Sequence, residues 1–184
     1  QMEALECGAA CLAMIAAYYG KWVPLEQVRA DCGVSRDGSK ASNVVRAARA
    51  YGFEASGFRM QPEALRSQGV FPCIVHWNFS HFVVCRGFKG GKVHLNDPAR
   101  GEVTVTEEEF DAAFTGVMLR FVPGPDFQPS GKPRSVWEFV GPRLQSSRAA
   151  LAFVAITAAV TAVVGIINPA LSQVFMDRLL GGKN

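Results

Sequence analysis

In this 184-residue chain a cysteine, a histidine and an aspartate have the types and surroundings that nucleophilic chemistry needs. Cys7 opens the run Cys7-Gly8-Ala9-Ala10-Cys11-Leu12, and Gln1 lies six positions upstream. From Cys7 onward the residues recur at helical spacing, with Cys7, Cys11, Met14, Ile15 and Tyr18 on one face. A cysteine in the first turn lies at the positive end of the helix dipole, which favours thiolate over thiol. The first backbone N–H groups of a helix have no intrahelical partner and are open to an oxyanion. The Gln1 side-chain amide would be a second donor, and losing one such donor costs about 2.7–4 kcal/mol of transition-state stabilisation. Gln, a short spacer and Cys at a helix start is the pattern a thiol peptidase needs. The competing reading is a buried structural thiol, the common fate of a free cysteine. Gln1 and Gly8 set Cys7 apart from that fate. Cys11, one turn later without such neighbours, reads as core filling.

A thiol nucleophile needs a base, and the base needs an orienting group. Of the three histidines, His81 opens the apolar run Phe82-Val83-Val84-Cys85, at a strand's start where a side chain reaches a cleft. Asp97 ends the next strand, just before Pro98, which holds it extended. Lys89-Gly90-Gly91 lies between the two runs and reads as a hairpin turn. A three-residue loop at 88–90 or 89–91 places Asp97 opposite His81 or Val83, on the face that carries His81. A two-residue loop sends Asp97 to the other face. A triad therefore requires an odd-length loop or a bulge. Asn96 is the weaker candidate for orienting the imidazole. His76 reads as structural or substrate-facing, and His94 as solvated. Neither C-x3-C nor H-x4-H is a strong zinc spacing, and zinc leaves the Gln-Cys-Gly pattern unexplained. No phosphate-binding loop occurs.

The elements that must position these residues follow from the pattern. Helices are expected at 7–20, at 24–32 and from a cap at Ser39 or Ser42 to Tyr51. After Gly52 the period changes. Weak alternation over 53–58 and a turn or two of helix over 62–68 precede strand-like runs at 72–76, 81–88, 92–97 and 102–105. Thr106 followed by Glu107, Glu108 and Glu109 starts a short helix through Phe114, and 117–122 is a last strand. Helices first and antiparallel strands afterwards make an α+β domain over residues 1–122.

Residues 123–135, with Pro123, Pro125, Pro129 and Pro133 among glycines, read as an extended linker, and 136–147 as an interfacial segment carrying Trp137. Within 148–184, the nineteen residues from Ala149 to Ile167 carry no charge. Their Leu, Ile, Val and Phe contribute about −3 to −5 kcal/mol on the insertion scale, which predicts one transmembrane helix. Lys132, Arg134, Arg143 and Arg148 precede it, so the N-terminal side is expected in the cytoplasm, at the cytoplasmic membrane. A net charge of +3 is too small to argue for nucleic acid. Five cysteines, at 7, 11, 32, 73 and 85, are odd in number and lack C-x-x-C spacing, which points to a reducing compartment. Residues are expected to precede Gln1, since a terminal glutamine cyclises and loses its amide donor. No secretory signal peptide is visible.

Gln1-x5-Cys7-Gly8-Ala9-Ala10-Cys11-Leu12, then His81-Phe82-Val83-Val84, then Asn96-Asp97-Pro98-Ala99-x-Gly101 together resemble the papain-like peptidase domain of peptidase-containing ABC transporters. These double-glycine peptidases process bacteriocin and lanthipeptide precursors during export. Asn168-Pro169-x3-Gln173-x3-Asp177 is similar to the end of the first transmembrane helix of such exporters. The resemblance implies a papain-like fold with Cys7 as nucleophile, His81 as general base and acid, Asp97 as orienter and Gln1 as oxyanion donor. It implies removal of a leader peptide after Gly-Gly or Gly-Ala, with the leader recognised as a helix in an apolar groove. The partners it implies are the precursor peptide, the membrane and the rest of the transporter, homodimeric at full length. No cofactor is expected in this chain, ATP belonging to a nucleotide-binding domain that it does not contain. Gly181-Gly182 resembles a cleavage site and reads as a loop. The rival readings are a non-catalytic leader-docking domain, against which the presence of Cys7 speaks, and a papain-like amidase or acyltransferase, against which the membrane helix speaks.

Overall fold

Six strands pair antiparallel in the order β1-β6-β2-β3-β4-β5, and helices cover the sheet on both faces. The computed structural model describes residues 6–35, 38, 40–133, 147–176 and 178. They fall into two units, Gln1–Lys132 and Pro133–Asn184. Gln1, the segment 136–146 with Trp137, Ser39, Asp177 and the pair Gly181-Gly182 lie outside the described residues.

In the first unit, α1 (Cys7–Tyr18), α2 (Leu25–Asp31) and α3 (Ala41–Ala50) precede β1 (Phe53–Arg59). Then come α4 (Pro62–Gln68), β2 (Cys73–Trp77), β3 (His81–Lys89), β4 (Lys92–Asp97), β5 (Gly101–Thr106), α5 (Glu107–Ala113) and β6 (Phe114–Pro123). Alternation along the strands divides the core in two. Ile74, Phe82, Val84, Leu119 and Phe121 pack with Leu12, Ile15, Val28 and Val44 of the first three helices. Cys73, Val75, Val83, Cys85, Val93 and Leu95 pack with Leu65 of α4 and Phe110 of α5. The acidic start of α5 is closed as expected, by a capping box in which Thr106 Oγ1 accepts from Glu109 N–H and the Glu109 carboxylate accepts from Thr106 N–H.

Two local expectations change. The helix α1 is not a one-faced amphipath: Gly8, Ala9, Ala10 and Ala16 are buried along with Cys7, Cys11, Leu12 and Ile15, whereas Tyr18 is 68% exposed. The helix is wedged between the sheet and the pair α2 and α3, so small residues face neighbours on several sides. The N-cap of α3 is Lys40 in extended conformation with no side-chain cap, and Ser42 lies inside the helix.

The stretch after β6 is extended, yet it is pinned to the first unit as far as Ser130. The Phe127 ring lies 4.5 Å from that of Phe53 and 6.4 Å from that of Tyr19. Lys21 Nζ donates to the Gln128 carbonyl at 3.2 Å and Trp22 N–H to the Ser130 carbonyl at 2.7 Å. Gly52 makes this return possible, because a Cβ there would stand 2.7 Å from Phe127 Cα.

In the second unit, α6 (Arg148–Phe175) is one 28-residue helix containing an 18-residue stretch with a mean hydropathy of 2.5, long and apolar enough to cross a membrane. Thr157 and Thr161 donate their hydroxyls to the carbonyls of Phe153 and Thr157 one turn back, so these hydroxyl hydrogens are bonded within the helix.

Candidate active site

Cys7 is the first residue of α1, and its N-cap, Glu6, makes no side-chain capping bond, so the opening N–H groups of the helix are not closed by it. His81 is the first residue of β3 and Asp97 the last of β4. The β3–β4 hairpin closes on a two-residue loop, Lys89 opposite Lys92, which by itself would set Asp97 opposite Val84 and away from His81. A bulge intervenes: Gly87 pairs with His94, and the next pair is Cys85 with Leu95, so Arg86 is the extra residue. Beyond it Val84 pairs with Asn96, which returns Asp97 to the face of Val83 and His81.

The consequence is direct contact. His81 Nε2 lies 2.9 Å from Asp97 Oδ1, with the two side chains 21% and 14% exposed. An ionised carboxylate only accepts, so Nε2 carries the proton and Nδ1 is left for the thiol. The Cys7 thiol and the His81 imidazole lie close enough to shift each other's ionisation. Asp97 is itself held by the Ala99 N–H, 2.8 Å from Oδ1.

The electrostatics follow. Burial pushes the Cys7 thiol up, but the His81 hydrogen bond, backbone hydrogen bonds from Phe82 and Gly8 and the charge of His81 outweigh it and leave the thiol below its ordinary range. The hydrogen bond to Cys7 raises His81; burial opposes and Asp97 adds to the rise. Burial works against the Asp97 carboxylate, yet its bonds to His81 and the Ala99 N–H bring it below the usual range. Cys11 shows the contrast: fully buried, its thiol donates to the Phe82 carbonyl at 3.2 Å, and burial raises it well above the ordinary thiol value. The site can therefore hold a thiolate beside an imidazolium, with uncapped helix N–H groups next to the sulfur.

A model of the Peptidase C39 family matches residues 1–126. The chain belongs to the Peptidase C39 family. It is a cysteine peptidase with a papain-like arrangement of helices on an antiparallel sheet. Among solved structures, this C39 chain is similar to a double glycine motif protease from an AMS/PCAT transporter in complex with the leader peptide. The two are 67% identical with a TM-score of 0.66, over 67% of this chain and 88% of that one. It is also similar to the peptidase domain of Streptococcus ComA, at 25% identity and a TM-score of 0.63, over 67% and 95%. Among curated proteins, the colicin V secretion/processing ATP-binding protein of Escherichia coli is 39% identical over 128 residues, which is 70% of this chain and 18% of that relative. The transport/processing ATP-binding protein ComA of Streptococcus pneumoniae is 27% identical over 96% of this chain and 26% of its own length. The C39 chain thus spans a minor part of the curated relatives it matches.

The remaining candidates separate. Asn96 does not orient the imidazole: it lies one residue off the Asp97 face, paired with Val84, in a recess with Met14, Tyr18 and Arg86. His76 places Nδ1 2.8 Å from Thr115 Oγ1 and its ring 5.0 Å from that of Phe82, and burial then the charge of His81 lower it. His94 pairs with Thr104 at 3.2 Å on the outer ribbon. The Arg86 bulge and buried Glu6 escape a reading by periodicity alone. The signal for the first was Gly87, a glycine inside a strand.

Proposed function

We propose that this chain is the precursor-processing endopeptidase of an ABC exporter, acting through Cys7, His81 and Asp97, with Gln1 as an oxyanion donor. The observation that carries the reading is the line of contacts from the head of α1 through His81 to Asp97. The Cys7 thiolate attacks the carbonyl of the scissile bond. The Cys7 N–H and the Gln1 amide hold the negative oxygen that forms. His81 gives its Nδ1 proton to the leaving amine, which departs and leaves a thioester on Cys7. His81, now neutral, takes a proton from water as that water attacks the thioester, and keeps it while the sulfur departs as thiolate, which restores the starting ion pair. Asp97 holds the ring and stabilises its charged form.

The substrate is a precursor peptide whose leader ends in Gly-Gly or Gly-Ala. The similarity to a double glycine motif protease at 67% identity supports this choice. Export of the remainder falls to the rest of the transporter, dimeric at full length, with ATP bound elsewhere. The helix α6 is the first transmembrane helix of that exporter, and the basic residues before it favour a cytoplasmic peptidase unit.

The test is to incubate the full chain, in detergent, with a synthetic precursor carrying a double-glycine leader, beside Cys7→Ala. Cleavage after the small pair by the parent alone is expected. Cleavage by both, or binding of the leader with no cleavage by the parent, rejects the peptidase mechanism, the second outcome in favour of a docking domain.

A further inference from the structure

Immediately before the nucleophile stands a charge in the core. Glu6 is 1% exposed and is the N-cap of α1. Burying a carboxylate is costly unless a partner offsets it. The partner is Arg29 of α2, whose Nη1 lies 2.8 Å from Glu6 Oε1 while its own side chain stays 37% exposed.

The direction of the carboxylate matters more than the pairing. A negative group at a helix start is drawn to the first N–H groups, where it caps them and meets the positive end of the dipole. Glu6 makes no such bond. Turned inward, it would compete for the donors a developing oxyanion needs, and it would set a negative charge beside the sulfur, opposing the thiolate.

We propose that Arg29 is a positioning residue of this peptidase, drawing the Glu6 carboxylate off the head of α1 and cancelling its charge beside Cys7. The proposal rests on Cys7 being the nucleophile. It adds a second helix to the site: α1 supplies the thiol, β3 and β4 the imidazole and carboxylate, and α2 the cation that keeps the oxyanion donors open. Near Cys7, the groups that titrate or carry charge are His81 of β3, with Asp97 of β4 behind it, and Cys11 of α1; the ion pair of Glu6 and Arg29 is centred on the residue just before Cys7 in the chain. Cys11 stays a neutral thiol, so the pair is the charge balance that substitution can alter without touching the triad.

The experiment uses the full chain in detergent and two readouts. One is the pH dependence of Cys7 alkylation by iodoacetamide, located by mass spectrometry, which needs no substrate. The other is kcat and KM on a double-glycine precursor. Arg29→Gln is expected to raise the alkylation midpoint by about one pH unit, the scale of a like charge nearby, and to lower kcat with little change in KM. Glu6→Gln combined with Arg29→Gln is expected to return the midpoint to the parent value and restore most of kcat. A parent-like midpoint in folded Arg29→Gln overturns the proposal, and so does a double variant as impaired as the single one. Should Arg29→Gln fail to fold, Arg29→Lys and the double variant decide: parent-like midpoints in both support it, and a raised midpoint in the double variant overturns it. Failure of the parent to cleave, with its Cys7 midpoint still low, counts against the peptidase function and leaves the positioning result standing.

Discussion

The His81 ring donates from Nε2 to Oδ1 of Asp97 across 2.9 Å because one strand of their hairpin carries a residue more than the other. The turn is a tight pair of glycines, and an unbroken ladder from it would leave histidine and aspartate on opposite faces. Arg86 supplies the half-period that reunites them. A single backbone irregularity thus sets which way the imidazole points, and through it which nitrogen meets the thiol.

Asp97 therefore acts through tautomer and orientation. Asp97→Ala is expected to lower kcat by about 10²-fold, within the range for losing the support of a general base. Asp97→Asn keeps an acceptor for the Nε2 proton and is expected to lose less, about tenfold. Steady-state cleavage of a double-glycine precursor measures both, with alkylation of Cys7 as a check that the thiol is still accessible.

The pH profile has a definite sign. The reactive form pairs a Cys7 thiolate with a protonated His81. Since Cys7 is lowered, activity should rise with pH through a limb below the ordinary thiol value. Since His81 is raised, activity should fall only at a limb above the ordinary imidazole value of 6.5. The two limbs belong to the coupled pair. Asp97→Asn removes a group that raises His81, so the alkaline limb should move to lower pH. Plots of kcat/KM against pH for parent and variant check this, and an unmoved alkaline limb would contradict it.

Gly87 holds φ at +133°, in a region that side chains rarely adopt. Gly87→Val is expected to cost about 1–3 kcal/mol of stability, the usual scale of such backbone strain. Cleavage should fall beyond what the unfolded fraction explains, because the bulge sets the phase of His81 against Asp97. Denaturant unfolding beside cleavage rates separates the two effects.

The docked return of the chain after β6 should carry stability. Gly52 sits at φ +91°, and a Cβ there would meet Phe127 Cα at 2.7 Å and the Asp126 carbonyl at 2.8 Å. Gly52→Ala must displace backbone, and is expected to destabilise the peptidase unit by about 2–4 kcal/mol. Phe127→Ala should cost less, about 1–3 kcal/mol, for a ring only partly buried. Thermal melts followed by circular dichroism compare them, and equal midpoints in parent and Gly52→Ala would show that the return is not packed in solution.

By itself the amino-acid sequence determined the parts. Cys7 at a helix start, His81 at the head of an apolar strand, Asp97 before a proline and one uncharged run of membrane length are all local patterns. Local patterns survive because helix dipoles, strand alternation and hydrocarbon transfer act over a few residues. Even the need for an odd loop or a bulge followed from the two-residue period. Which of these occurred was left open, since a two-residue turn and a bulge at Arg86 are set by the competition of Phe88, Cys85, Val93 and Leu95 for one core. The tertiary structure also decided that α1 is buried on several sides, that the proline-rich stretch turns back onto Phe53, and that Glu6 meets Arg29. Those relations join residues far apart in the chain through packing and charge, and no short-range periodicity encodes them.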